Sequence, residues 1–418
     1  MTVPDGGRAS HRTAWVVVVV GAAVLAALAA WLVPWDPVPG GPLHPVPASS
    51  VFSEAQIARA EDFSRWARVW SWSSFLVSLA IACWFGFTRH GRALVGRLPG
   101  PWWLQVAEAV AALELIRRTI TLPFAVMMHR HLLDYGLTHQ SWPAFAVDLV
   151  KGEALTIVVT SLAVVALVGS ARRWTRAWPA VAGAALGVLV LAGSFVYPVL
   201  VEPVFNSFTP LPDGSLRTQI LRLADQEHVQ VDDVLVADAS RRTTTLNAYV
   251  SGFGGTRRVV VYDNLVDDLS EDEALSVVAH ELAHARHDDV LTGSLLGAAG
   301  AVLAVGLLAV LVGLVAERRG LRMADPAVVP LVLALVALGS FLADPVENTI
   351  SRQIETRADV DAITTTRDPA AFVSMQEQLA EHSLADPTPP ELSQFWFGSH
   401  PTTLMRMALA ERLARDQP

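Results

Sequence analysis

Cysteine is nearly absent. Cys83 stands alone, so no disulfide can close within the chain and no multi-thiolate metal site can be built. It lies in an apolar run, where a lone thiol packs as a small hydrophobe. Charge is scarce as well. Only 17% of the 418 residues are charged and 52% are hydrophobic, whereas soluble domains carry about a quarter charged residues. Lysine occurs once, at Lys151, the net charge is −9, and no basic block is present. A nucleic-acid partner is therefore not expected. The preference for Arg over Lys, with abundant Ala, Val and Leu, suggests a GC-rich bacterial genome.

What is there in quantity is long apolar sequence. A membrane-crossing helix needs about 20 apolar residues. Seven windows approach that length: Trp15–Val33, Trp70–Phe87, Trp102–Met127, Ala144–Val168, Trp178–Leu200, Leu291–Val315 and Ala327–Leu342. The first follows Arg8 and Arg12 and contains small residues at Ala27, Ala29 and Ala30, so it resembles a signal segment. Its length favours an uncleaved helix. The third and fourth windows hold Glu108, Glu114, Arg117, Arg118, Asp148, Lys151 and Glu153. Ionisable groups at membrane depth usually face protein or water. Pairing of Glu114 with Arg118 one turn on would also account for part of this set.

Two polar segments remain. In the first, Leu216–His228 has the pattern of an amphipathic helix, and Val234–Ala237 and Val259–Tyr262 are short β-rich runs with Gly252–Gly255 as hairpin punctuation between them. The second, from about Ala343 to Pro418, is mostly helical in pattern.

Ser270–Asp289 reads SEDEALSVVAHELAHARHDD. Ser270 with Glu273 forms a capping box, and the acidic first turn suits the positive end of a helix. His280 and His284 then fall one turn apart on one face, so both imidazoles can converge on one ion, and Glu281 is placed to take a proton from water there. The HExxH pattern alone arises by chance in a few per cent of chains of this length. A capped helix followed by an apolar run is a more specific context.

Catalytic zinc commonly takes three protein ligands and leaves a position open. Asn348–Ala362 reads NTISRQIETRADVDA, with Glu355 and Asp359 one turn apart. Such a pair is usually a solvated helix face. Here Glu355 can complete a metal site and Asp359 can accept a hydrogen bond from a ligand imidazole. Two apolar windows separate His284 from Glu355, which puts the site near the membrane or inside a chamber. Two rivals exist: a membrane chaperone or scaffold with a structural metal, and a transporter. The first predicts a closed site or a missing base, yet Glu281 is present. The second predicts matched repeats or broken spans, which are not visible.

Five ordered blocks resemble a known family, the integral-membrane type I CAAX prenyl proteases, which are zinc endopeptidases with seven transmembrane helices. They are PVFNSFTPLPDGSLR at Pro203–Arg217, DASRRTTTLNAYVSGFGGTRRVVVYDNL at Asp238–Leu265, the HELAH helix, NTISRQIETRAD, and SHPTTLMRM at Ser399–Met407. The similarity runs from about the second span to the C-terminus. Two departures are mild: Ala283 and Thr402 stand where glycine and a second proline are common.

The resemblance implies one Zn2+ per chain on His280, His284 and Glu355, with Glu281 as general base and acid. It implies that Asn247 binds substrate backbone or steadies the oxyanion, that His400 stabilises the tetrahedral intermediate, and that Arg406 supports that region. The run at Asn247–Gly252 can also act as an edge strand that pairs with extended substrate. The expected architecture is a mainly α membrane protein of about seven helices around a chamber, with a small α+β zinc-metalloprotease domain. Its parts are residues 1–200 (membrane, five spans), 201–290 (metalloprotease segment), 291–342 (transmembrane hairpin) and 343–418 (C-terminal segment with the third ligand). The expected partners are the lipid bilayer and a peptide or protein substrate. Bacteria generally lack protein prenylation, which favours trimming or clearing of membrane-associated peptides.

Arginines cluster on alternate loops, among them Arg89, Arg92, Arg97, Arg172, Arg173, Arg176, Arg319 and Arg322. The positive-inside rule then leaves the N-terminus in the cytoplasm and the catalytic segments outside. Eukaryotic members of the family are thought to place those segments in the cytosol, so the side stays open.

Overall fold

The structure is a computed structural model and describes residues 5–252 and 257–416. The N-terminal half is helical: α1 (Asp5–Leu32), α2 (Glu54–Phe87), α3 (Arg89–Val95), α4 (Trp102–Asp134), α5 (Trp142–Arg173), α6 (Trp178–Val196) and α7 (Glu202–Phe205). A mixed segment follows: β1 (Phe208–Pro210), α8 (Ser215–Gln226), β2 (Asp233–Ala237), β3 (Ala248–Ser251), β4 (Arg258–Tyr262), α9 (Asp263–Asp268) and α10 (Glu271–Arg286). The chain ends in α11 (Asp289–Arg319), α12 (Val329–Thr366), α13 (Pro369–Ser383), α14 (Glu391–Phe397) and α15 (Thr403–Asp416).

Among the described residues, six helices are long and apolar enough to cross a membrane: α1, α2, α5, α6, α11 and α12. The expected third span is present as the 33-residue helix α4 but is not one of these six. Glu108, Glu114, Arg117 and Arg118 interrupt its apolar run. Their partners differ from the sequence expectation. Arg117, not Arg118, donates to Glu114 at 2.6 Å, and Arg118 donates to Glu153 on α5 at 2.6 Å. The second of these pairs ties α4 to α5. Glu114 and Arg117 also border a cavity of about 470 Å³ shared with Asp344 and Ser340 of α12.

Between lipid-embedded helices the driving force is close packing, so small residues mark the contacts. A Cβ on Gly21 of α1 would lie 2.9 Å from the Leu303 backbone nitrogen of α11, and one on Gly306 would lie 2.9 Å from that of Val18. Gly86 of α2 sits against α12, where its Cβ would meet the Pro330 carbonyl oxygen at 2.8 Å. A buried core of Val106, Val110, Val168, Val328 and Leu331 fills the bundle.

A second core lies under the sheet. Ile220 of α8, Val234 and Val261 of the sheet, Val278 and Leu282 of α10, Ile363 of α12, Phe372 of α13 and Leu409 of α15 are all buried there. Each side chain of this size contributes roughly 1.5–3 kcal/mol on burial. The sheet order is β1-β2-β4-β3. β2 and β4 are parallel neighbours, with Asp233 opposite Arg258, rather than a hairpin. The antiparallel partner of β4 is β3, and Gly252, at φ 93, leaves β3 in the left-handed region that favours glycine. The rest of the expected Gly252–Gly255 punctuation lies outside the described residues. β3 is an edge strand, paired only with β4 among the described strands.

Candidate metal centre

Helix α10 begins as its sequence requires. The Ser270 hydroxyl accepts from the Glu273 amide at 3.4 Å, and Glu273 returns the bond to the Ser270 amide at 2.9 Å. Glu271, Asp272 and Glu273 occupy the first turn, where the helix dipole favours them. The apolar residues Val278, Ala279, Leu282 and Ala283 bury the helix, and His280 is carried inside with them at 6% exposure. The chain then turns at Asp288, at φ 52, and enters α11.

α12 is one unbroken helix of 38 residues. The expected last span and the helix bearing Glu355 are therefore a single rod, and the intervening α11 brings this rod back to α10. His280 Nε2 lies 3.1 Å from His284 Nε2 and 3.2 Å from Glu355 Oε2, and His284 Nε2 lies 3.6 Å from Glu355 Oε1. Ligand atoms on all three fall within 4.8 Å of one another. Two donors at about 2.0–2.1 Å from a tetrahedral ion stand roughly 3.3 Å apart, so this donor set fits zinc in spacing and in ligand type.

His280 Nδ1 lies 2.9 Å from Asp359 Oδ1, and the Asp359 side chain is fully buried. Arg406 donates through Nε to Asp359 Oδ2 at 2.8 Å and through Nη2 to Oδ1. Arg406 thus reaches the centre through Asp359, with Nη2 3.4 Å from His280 Nδ1. Glu281 lines both grooves that meet at the trio. Burial pushes its carboxyl above the ordinary carboxylate range.

Asn247 and His400 also line both grooves. Asn247 is exposed at the start of the edge strand, and its carbonyl accepts from the Tyr262 amide at 2.9 Å. His400 is carried by the loop before α15, with its side chain 56% exposed and Nε2 3.3 Å from Glu355 Oε2. The groove toward Thr245 and Leu246 has a volume of about 540 Å³ and includes Val277, Met375, Leu379 and Phe397. The groove toward Tyr249 and Gly252 has about 450 Å³. All eight residues singled out in the sequence therefore come together around one point.

Asp289 and Arg357 escape notice in the sequence. Asp289 Oδ2 lies 2.9 Å from His284 Nδ1, and Arg357 donates to the other Asp289 oxygen. The available signal was slight: an Asp five positions after the second histidine, in HARHDD.

The model of peptidase family M48 matches residues 210–414. A second family model, the CAAX prenyl protease N-terminal region with five membrane helices, matches residues 45–207. The uncharacterized metalloprotease YhfN of Bacillus subtilis (strain 168) is 31% identical over 320 residues, which cover 74% of each chain. A CAAX prenyl protease 1 homolog of Arabidopsis thaliana is 36% identical over 151 residues, 36% of each chain. The crystal structure of S. mikatae Ste24p has the same fold, with a TM-score of 0.78 over 98% of this chain and 100% of that one, at 19% identity. These matches make the chain a multi-pass membrane protein and a metalloprotease, and they do not favour a non-proteolytic scaffold. The chain belongs to peptidase family M48, in the form that carries the CAAX prenyl protease membrane region before its catalytic segment.

Proposed function

We propose that the chain is an endopeptidase that holds one zinc ion on His280, His284 and Glu355 and cleaves peptides or membrane-associated proteins. The observation that carries this reading is the convergence of two imidazole nitrogens and a carboxylate within 4.8 Å, beside Glu281. When bound, zinc would supply Lewis acidity, bringing the pKa of a water toward about 7 and polarising a carbonyl. Glu281 would accept a proton from that water and return it to the leaving amine. Asn247 and His400, exposed on the groove walls, aim donors at the oxyanion that develops on the scissile carbonyl. Asp359, held by Arg406, orients His280.

The edge strand β3 lines the second groove through Ala248, Tyr249 and Val250, and an extended substrate can add to it through main-chain hydrogen bonds with little sequence preference. Curated relatives are named CAAX prenyl proteases, whereas the bacterial relative is named only as a metalloprotease. A broad substrate class, prenylated or not, suits this groove. The proposed division is a membrane region at 1–200, a metalloprotease segment at 201–290, a hairpin at 291–342 and a C-terminal segment at 343–418 that returns Glu355.

Glu281→Gln removes the base and leaves the three ligands intact. Cleavage of a peptide that the wild type cuts should be lost while zinc is retained. Full activity in this variant would refute the assignment.

A further inference from the structure

Both imidazoles of the proposed trio are backed in the same way. His280 Nδ1 faces Asp359, whose carboxylate is gripped by Arg406. His284 repeats the pattern on the opposite side: Nδ1 lies 2.9 Å from Asp289 Oδ2, and Arg357 donates to Asp289 Oδ1. The Asp289 side chain is 7% exposed. A third histidine of the same helix end, His287, also meets a carboxylate, Asp361, at 2.6 Å, but it is not one of the trio.

We propose that Asp289, held by Arg357, is a positioning residue that sets the tautomer and ring orientation of His284 for metal binding. The inference rests on the proposed zinc site. A carboxylate can only accept a hydrogen bond. The neutral His284 ring therefore carries its hydrogen on Nδ1, and the Nε2 lone pair is turned toward His280 and Glu355, 3.1 and 3.6 Å away. Asp289 divides its oxygens, one to the imidazole and one to the guanidinium. Arg357 thereby fixes the plane of the carboxylate and compensates a buried charge that would be costly alone.

The elements that carry these groups extend the consequence. Asp289 opens α11 and Arg357 lies on α12, so the two arms of the membrane hairpin are clamped to each other at the metal centre. The turn at Asp288 lets the chain leave α10 and present Asp289 beside His284. The placement of a zinc ligand is in this way tied to how the hairpin closes.

The test is zinc affinity, measured by competition with a chromogenic chelator on the full-length protein in detergent. Removal of such an outer partner typically weakens metal binding about 10- to 100-fold, and Asp289→Ala should lose affinity in that range. Asp289→Asn should lose less, because its carbonyl still accepts from Nδ1. Asp361→Asn, which removes the neighbouring His287 partner, should keep wild-type affinity. Wild-type affinity in Asp289→Ala overturns the positioning role, as does an equal loss in Asp361→Asn. If Asp289→Ala does not fold, Asp289→Asn and Arg357→Met carry the test, and wild-type affinity in both overturns it. Failure of the wild type itself to bind zinc would instead bring down the zinc site, and this inference with it.

Discussion

At the scale of single residues, the centre combines groups that sequence spacing could join and groups that it could not. His280, Glu281 and His284 share one helix, where 3.6 residues per turn fixes their relation. Glu355 and Asp359 share another helix, and chemical need linked the two: a zinc site lacking a ligand and an imidazole lacking an acceptor. Asp289 and Arg357 had no such clue, because a left-handed turn at Asp288 and the approach of α12 bring them together. Asn247 and His400 were legible only through the family blocks, since an exposed turn residue and a loop histidine have no periodic signal. Their proposed role is open to measurement. Loss of one oxyanion donor typically lowers kcat about 10²- to 10³-fold. Asn247→Ala and His400→Ala should each show a drop of this order in steady-state cleavage with zinc content unchanged; a change confined to KM would count against the role.

At the scale of elements, helices were easier to foresee than strands. The capping box at Ser270 marked the start of α10, and the apolar runs marked the long helices. The sheet order was hidden, because β2 skips β3 to pair with β4 and neither periodicity nor turn residues encode that choice. The same holds for Arg118 of α4, whose partner Glu153 lies 35 residues on.

The loop that leads to Asn247 is pinned by Asp263, whose oxygens accept from the Ser240 amide at 2.8 Å and from its hydroxyl at 2.6 Å. Although burial opposes it, these bonds hold the Asp263 carboxyl below its ordinary range. A depressed folded pKa stabilises above the unfolded value of about 3.9 and ceases to do so as pH falls through the lower folded value. Proteolysis of the 239–246 loop should therefore rise as pH falls below about 4 in the wild type. Asp263→Ala should show the higher rate already at neutral pH. Equal loop protection in both proteins would refute the pin.

At the scale of the whole molecule, a bundle packed through glycines and a catalytic unit with its own core meet at the metal centre. The hairpin of α11 and α12 belongs to both: its apolar halves lie in the bundle and its ends supply Asp289 and Glu355. The positive-inside count predicts that a reporter fused at Pro418 reads out on the outer face of the membrane. A cytoplasmic reading would reverse the orientation and leave the chemistry intact.

Whether His280, His284 and Glu355 hold a zinc ion is read from metal content. Elemental analysis of purified wild-type protein should find one zinc per chain, and a variant with all three residues changed to alanine should find almost none. Zinc absent from the wild type, or equal in the two proteins, would rule out this metal site.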